Sequence, residues 1–276
     1  MLMMRFPEGK SKALTLSYDD GVEQDERLIQ ILDAAGIRCT FNLNSGCFPP
    51  EGMVWPAGQV HRRLPASRVA ALYRGGHEVA VHTLTHPDLT QLPLNEMIRE
   101  INADRANLEK LFGGLVRGAA YPYGTYSDLT VEALKACGIA YCRTVNATHG
   151  FQIPRDWLRL HPTCHHADPQ LDALCDRFLE DGARYGSIMF YLWGHAYEFE
   201  GADNWDVIER FAEKMGGRDD IWYATNIAIH DYVEAWRGLL ISADGRTLVN
   251  PTATALYAGT EKGIVEIGAG ATVVLG

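Results

Sequence analysis

Residues 13–43 of the chain, ALTLSYDDGVEQDERLIQILDAAGIRCTFNL, contain the unit that decides the fold. The apolar run at 13–18 predicts a β-strand, and the amphipathic stretch Glu23–Ala35 predicts a helix that ends at Gly36. A second apolar run at 38–43 predicts another strand. Because a helix of this length connects the two runs, we expect the strands to lie parallel, with the helix as their crossover.

The same alternation of strand and helix continues along the chain to about residue 237, and glycines end several of the predicted helices. Seven or eight such units predict an α/β fold in which the parallel strands form a closed or nearly closed barrel. An open, doubly wound sheet is the alternative. The expected barrel covers residues 10–237. Short β-prone pieces separated by turn signals then predict a small β-rich C-terminal appendage at 238–276.

Composition excludes several classes of protein. The 276 residues carry a net charge of −10, which argues against binding to nucleic acid, since a phosphate backbone requires a basic face. No apolar run is long enough to span a membrane. The first residues lack the features of a secretory signal, so we expect a cytoplasmic protein. The sequence gives no indication of the oligomeric state.

Two histidines, His82 and His86, follow the predicted strand that begins at Glu78. In an extended strand they would lie about 13 Å apart, too far for one metal ion with bonds of ~2.1 Å. A turn between them would bring both to one face. Because Pro87 disfavours helical geometry at His86, we expect a single turn or a tight loop. A purely structural role is the alternative for this pair.

Three further groups of polar residues end predicted strands. Asp19 and Asp20 follow the first strand, His195 follows the apolar run 188–193, and Tyr123 lies in the turn 121–124. Each alone could be a helix cap, a core residue or an ordinary loop. Together they fall at the carboxyl ends of parallel strands, where α/β barrels build their sites. An aspartate and two histidines with an open position describe a catalytic zinc site.

These residues resemble the motifs of the polysaccharide deacetylase family, also known as the NodB-homology domain or carbohydrate esterase family 4. Ser17–Asp20 matches the family's first motif, T-F-D-D, and His82–His86 fits its second, H-[ST]-x-x-x-H. Pro122–Gly124 matches part of the third motif, R-P-P-[FY]-G, and Leu192–His195 matches the fifth, L-x-x-H. The resemblance covers about residues 10–237 and implies a distorted (β/α)7 barrel.

The resemblance also implies a role for each matched residue. Asp20, His82 and His86 would hold a divalent metal ion. Asp19 would be the general base, His195 the general acid, and the backbone N–H of Tyr123 would help to bind an oxyanion. The implied metal is zinc, with cobalt, nickel and manganese as alternatives, because nitrogen and oxygen ligands suit several ions.

The sequence departs from the family at two motifs. The arginine of the third motif, which orients the base, is Ala120 here, so another residue has to take its place or the substrate differs. The fourth motif has no clear match, since Asp156 lies too far before His195. His165 and His166, in the loop 163–168, could face the site, and a plain surface loop is the alternative. Four aromatic residues could stack on a sugar or belong to the core: Trp55, Trp157, Trp193 and Tyr197.

The predicted activity is therefore metal-dependent removal of an N-acetyl group from a carbohydrate. The predicted partner is a carbohydrate or small amide substrate, with no nucleic acid and no membrane. One alternative is hydrolysis of a formyl group, a cyclic amide or an O-acetyl ester on the same scaffold. A second is a non-catalytic carbohydrate-binding or scaffold protein that has kept the fold.

Overall fold

The computed structural model describes residues 2–276, and its centre is one parallel sheet with helices around it. The strands of this sheet are β2 (Lys12–Asp19), β3 (Cys39–Leu43), β4 (Glu78–Val81), β5 (Gly118–Ala120), β6 (Tyr141–Arg143), β7 (Cys164–His165), β8 (Ile188–Gly194) and β9 (Ile221–Tyr223). The helices are α1 (Asp25–Ala34), α2 (Ala66–Leu72), α3 (Leu94–Phe112), α4 (Asp128–Ala136), α5 (Leu171–Glu180), α6 (Ala196–Gly201), α7 (Asp206–Met215) and α8 (Asn226–Arg237).

The strands follow the order β6-β5-β4-β3-β2-β8-β7, and every neighbouring pair is parallel. The central strand β2 is buried along its whole length and also pairs with β9 at residues 12–14. Burial on both faces explains its nearly continuous apolar sequence. The sheet curls into an incomplete barrel, so the predicted α/β class with a distorted (β/α)7 barrel is confirmed.

The C-terminal residues form the predicted small β-structure. Strands β10 (Leu240–Ile241), β11 (Thr247–Val249) and β14 (Thr272–Val274) make one antiparallel sheet, and β12 (Leu256–Thr260) and β13 (Gly263–Ile267) make another with β1 (Met3–Arg5). Leu248 and Leu256 share a buried cluster with Ala13 and Tyr191 of the barrel. The division of the chain into a barrel at residues 10–237 and an appendage at 238–276 stays a prediction.

Most predicted elements lie within a few residues of the observed ones, and the differences concern short segments. The strand before the predicted turn 121–124 has only three residues and ends at Ala120, because a 3-10 turn at Pro122–Gly124 follows it. The two-residue strand β7 and the six-residue helix α6 have no sequence signal, since neither is long enough to show a period. Within residues 2–276, no helix has the length and apolarity that a membrane span requires.

Candidate metal and catalytic site

The end of β2 places two carboxylates at the rim of the barrel. Asp19 is the last residue of the strand and is buried. Asp20 follows it with a φ of 82°, a conformation that side chains rarely adopt and that turns it away from the strand. Asn42 on the neighbouring strand β3 donates from Nδ2 to Asp19 Oδ1 at 2.7 Å. The two carboxylates are therefore fixed in different directions.

The loop after β4 brings His82 and His86 together, as the spacing predicts. The strand ends at Val81, and the loop bends with positive φ values at Thr83 (66°) and His86 (59°) rather than through a helical turn. Helix α3 holds this bend, because the carboxylate of Glu100 accepts from the Thr85 backbone N–H at 2.8 Å. The two imidazole centroids lie 4.7 Å apart.

Asp20, His82 and His86 form a group that could hold a metal ion, named here the metal triad. One ligand atom from each lies within 4.8 Å of the others. His82 Nδ1 lies 2.9 Å from the Ala120 carbonyl, so it carries the proton and donates, which leaves Nε2 with a free lone pair. Burial, reinforced by His82, lowers the pKa of His86 to about 4, so that ring is neutral near pH 7. The donor set therefore fits a divalent ion.

Two basic residues of the segment before α2 contact the carboxylate of Asp20. Arg63 donates to Oδ1 at 2.7 Å, and His61 Nε2 lies 3.1 Å from Oδ2. Burial raises the pKa of Asp20, but the His61 hydrogen bond and the Arg63 charge outweigh it and hold that pKa well below its usual range. Asp20 is thus an anion, which is the form that binds a metal.

His195 follows β8 and lies on the other side of Asp19. Its Nε2 is 3.8 Å from Asp19 Oδ2, the same separation that His82 Nε2 has from this oxygen. Its Nδ1 lies 3.1 Å from Glu198 Oε1. Burial lowers the pKa of His195, but the bond to Glu198 and the charge of Asp19 outweigh it, so the net pKa is raised.

Glu198 is the centre of a second group of histidines, named here the Glu198 cluster. Its Oε2 lies 3.1 Å from Nε2 of His165 and 3.0 Å from Nε2 of His166. Together with the contact from His195, these rings outweigh burial and lower the pKa of Glu198 well below its usual range. His165, expected in a surface loop or at the site, is therefore joined to His195 through Glu198.

The predicted oxyanion residue lies beside the metal triad. Tyr123 has a φ of 58°, and its ring packs edge-on against His86 with centroids 4.6 Å apart. Four of the eight non-glycine residues with positive φ among residues 2–276 belong to this rim: Asp20, Thr83, His86 and Tyr123. Such strained backbone is concentrated where a side chain or N–H has to point in a fixed direction.

The four aromatic candidates separate into different environments. Trp193 and Tyr197 lie at the rim, the latter with its ring centroid 5.2 Å from that of His195. Trp157 is buried and donates to Glu234 of α8 at 2.7 Å, so it belongs to the core. Trp55 lies in the segment 48–65, which is partly exposed.

Sequence reasoning missed two charged residues that contact the predicted catalytic pair. Arg143 of β6 is buried and donates to Asp19 Oδ2, and Glu198 contacts His195. A signal existed for the first, because an arginine inside an apolar strand is rarely buried without a partner. The fourth-motif candidate Asp156 instead caps a 3-10 turn and pairs with Arg159.

Part of the chain is similar in sequence to known proteins. Residues 7–142 match the family model described as polysaccharide deacetylase. A chitooligosaccharide deacetylase of Sinorhizobium fredii (strain NBRC 101917 / NGR234) is 36% identical over 115 residues, or 41% of this chain and 46% of the relative. One of Rhizobium leguminosarum bv. phaseoli is 36% identical over 116 residues, or 42% and 44%. The chain thus spans less than half the length of these curated relatives.

A solved structure supports the fold over a longer part of the chain. A protein of Mycobacterium smegmatis, described provisionally as a polysaccharide deacetylase, superposes with a TM-score of 0.60 at 16% identity. The match covers 85% of this chain and 94% of that one. At this identity the likeness concerns the fold alone, and it agrees with the distorted barrel.

Proposed function

Because the chain belongs to the polysaccharide deacetylase family, with its match at residues 7–142, we propose that it is a metal-dependent hydrolase that removes an N-acetyl group from a carbohydrate. The observation that carries the proposal is the position of Asp19. Its Oδ2 lies 3.8 Å from Nε2 of His82, in the metal triad, and 3.8 Å from Nε2 of His195. A base between a metal site and an acid is the arrangement that amide hydrolysis needs.

The metal triad would hold the ion through Asp20, His82 and His86. The chemistry supplied by a divalent ion bound there is a water more acidic than bulk water and a polarised amide carbonyl. We assign zinc, because two imidazoles and a carboxylate with an open position suit it, and cobalt, nickel and manganese are the alternatives.

The chain's own residues would move the protons. Asp19 takes the proton of the attacking water, since Asn42 and Arg143 hold its carboxylate in the charged form that accepts a proton. The backbone N–H of Tyr123 donates to the oxyanion that develops on the carbonyl. His195 then protonates the leaving amine, which requires a charged imidazole, and the neighbouring Glu198 favours that form by raising the pKa of His195.

A substrate panel tests the proposal with the purified, zinc-loaded protein. The substrates are N-acetylglucosamine oligomers, an N-formyl analogue, a cyclic amide and an O-acetylated oligosaccharide, with acetate, formate and ring opening measured separately. We expect acetate and a free amine from the N-acetylated oligomers, and no acetate with Asp19→Asn. Release of formate alone, ring opening alone or cleavage of the ester alone would favour another hydrolase on this scaffold.

The same experiment separates an enzyme from a binding protein. A protein that binds the oligomers but has no stoichiometric metal and no turnover would favour the non-catalytic alternative. The cytoplasmic location stays a prediction beside this proposal.

A further inference from the structure

The interior of the barrel contains a fully buried arginine, Arg143, the last residue of β6. A buried guanidinium is unfavourable unless a charged partner and hydrogen bonds compensate it. Asp19 compensates Arg143, because its Oδ2 is a charged partner that accepts a hydrogen bond from the guanidinium. The guanidinium carbon also lies 4.3 Å from the ring centroid of Trp193. The position is therefore constrained by a carboxylate and by an aromatic face.

The strand register relates Arg143 directly to the position where the family motif has its arginine. Ala120 of β5 and Arg143 of β6 are paired residues of two parallel strands. Paired residues in a ladder project to the same side of the sheet, from strands about 4.8 Å apart. A cation attached at either position can thus reach the same carboxylate.

We propose that Arg143 is the positioning residue of the general base, and that the cation reaches Asp19 from β6 instead of β5. The role as base rests on the proposed function, whereas the exchange between strands does not. Two donors fix the Asp19 carboxylate, Asn42 at Oδ1 and Arg143 at Oδ2. With both in place, Oδ2 keeps its 3.8 Å separations from His82 and His195.

Contact with the Trp193 ring restricts the movement of the Arg143 guanidinium. Stacking on an indole face restricts the rotamers of an arginine and adds a cation–π attraction. Trp193 also lies two residues before His195 on the same strand end, so one element holds the arginine and supplies the predicted acid. A lysine cannot reproduce this arrangement, because it has neither the planar fork nor the stacking surface.

The activity arm compares Arg143→Ala, Arg143→Lys and the exchange variant Ala120→Arg/Arg143→Ala, all loaded with zinc. Loss of positioning lowers kcat by about 10²-fold in Arg143→Ala, with KM within about threefold, because a misplaced base slows the reaction more than it weakens binding. Guanidinium ion at millimolar concentration restores part of kcat to Arg143→Ala. The exchange variant has a kcat at least about tenfold above that of Arg143→Ala. The control Arg159→Ala, which removes a surface arginine, leaves kcat unchanged.

A second arm needs no turnover. Urea unfolding midpoints are measured for Arg143→Ala, Asp19→Asn, their double variant and the exchange variant. We expect Arg143→Ala to lower the midpoint, a smaller effect of the same substitution in the Asp19→Asn background, and recovery in the exchange variant.

Unchanged kcat in Arg143→Ala, or no recovery by either the exchange variant or guanidinium, would overturn the inference while the proposed function stands. If the wild type cleaves no substrate, the proposed function fails, and the unfolding arm still decides whether position 120 can supply the cation of Arg143. Should Arg143→Ala fail to fold, Arg143→Lys replaces it, with an expected loss in kcat of about tenfold.

Discussion

The metal triad and the Glu198 cluster contain the same kinds of residue, yet their hydrogen bonds prepare them for different chemistry. In the triad, His82 donates from Nδ1 to a backbone carbonyl, which leaves the Nε2 lone pair for a metal. In the cluster, the Ala167 backbone N–H donates to Nδ1 of His165 at 3.1 Å, so the ring proton lies on Nε2, the nitrogen 3.1 Å from Glu198 Oε2. A protonated nitrogen cannot bind a metal.

The hydrogen-bond partner of the second ring nitrogen therefore distinguishes a metal-binding histidine–carboxylate group from one that does not bind a metal. Ligand atoms of His165, His195 and Glu198 also lie within 4.8 Å of one another, as they do in the triad. Distance alone would therefore give the chain two metal sites. The Ala120 carbonyl beside His82 and the Ala167 N–H beside His165 instead indicate one metal site and one cluster in which the His165 nitrogen nearest Glu198 carries a proton.

Among variants that keep the metal, the strongest loss of turnover should come from replacing His195, which contacts both Asp19 and Glu198. We expect His195→Ala to keep its metal but to lose turnover by ~10²–10⁴-fold, the usual contribution of one general acid. Metal content and kcat on N-acetylated oligomers are measured on the same preparation. Release of the metal from His195→Ala would assign His195 to the metal site and remove the distinction between the two groups.

A smaller effect is expected for Glu198→Gln, which keeps the shape but removes the charge. We expect kcat/KM to fall by about 10–100-fold near neutral pH, since hydrogen bonds between charged groups contribute ~1.5–3 kcal/mol. The acid acts when protonated, so activity falls as the pH rises through the pKa of His195. Without the carboxylate that raises this pKa, the decline begins at lower pH.

The control for this change is His166→Asn, which alters the same cluster without removing its carboxylate. The alkaline limb of the pH profile should then stay near its wild-type position. An unchanged limb in Glu198→Gln would show that Glu198 does not set the protonation of His195.

The mildest loss of activity should come from His165→Ala, which we match with His86→Ala in the metal triad. Loss of the His165 ring beside Glu198 should change kcat/KM by less than about tenfold and leave the metal content unaltered. His86→Ala should lose the metal, although both substitutions remove one imidazole. Equal metal loss in the two variants would mean that the Glu198 cluster also binds an ion.

Much of this site could be predicted because its residues lie where predicted strands end. The strand 78–81 had to stop before His82 for two imidazoles to share an ion, and the structure has this break. The fold followed from the same alternation, since long apolar and amphipathic runs identify strands and helices with little ambiguity.

The supporting charges could not be predicted, because they depend on three-dimensional pairing. Arg143 contacts Asp19 across 124 residues of sequence, and that contact depends on the register of β6 against β5. Glu198 is close to His195 in sequence, but only the short helix α6 turns it back towards the ring. The strand β1 was missed for a similar reason, since its partner is β12 at the other end of the chain.

Whether the metal triad binds an ion is tested by the zinc content of the wild type and of His82→Ala after dialysis against zinc, measured by elemental analysis. We expect about one zinc per chain in the wild type and its loss in His82→Ala, with the fold of both verified by circular dichroism. A folded wild-type protein without bound zinc, or a His82→Ala variant that binds as much as the wild type, would show that Asp20, His82 and His86 do not form a zinc site.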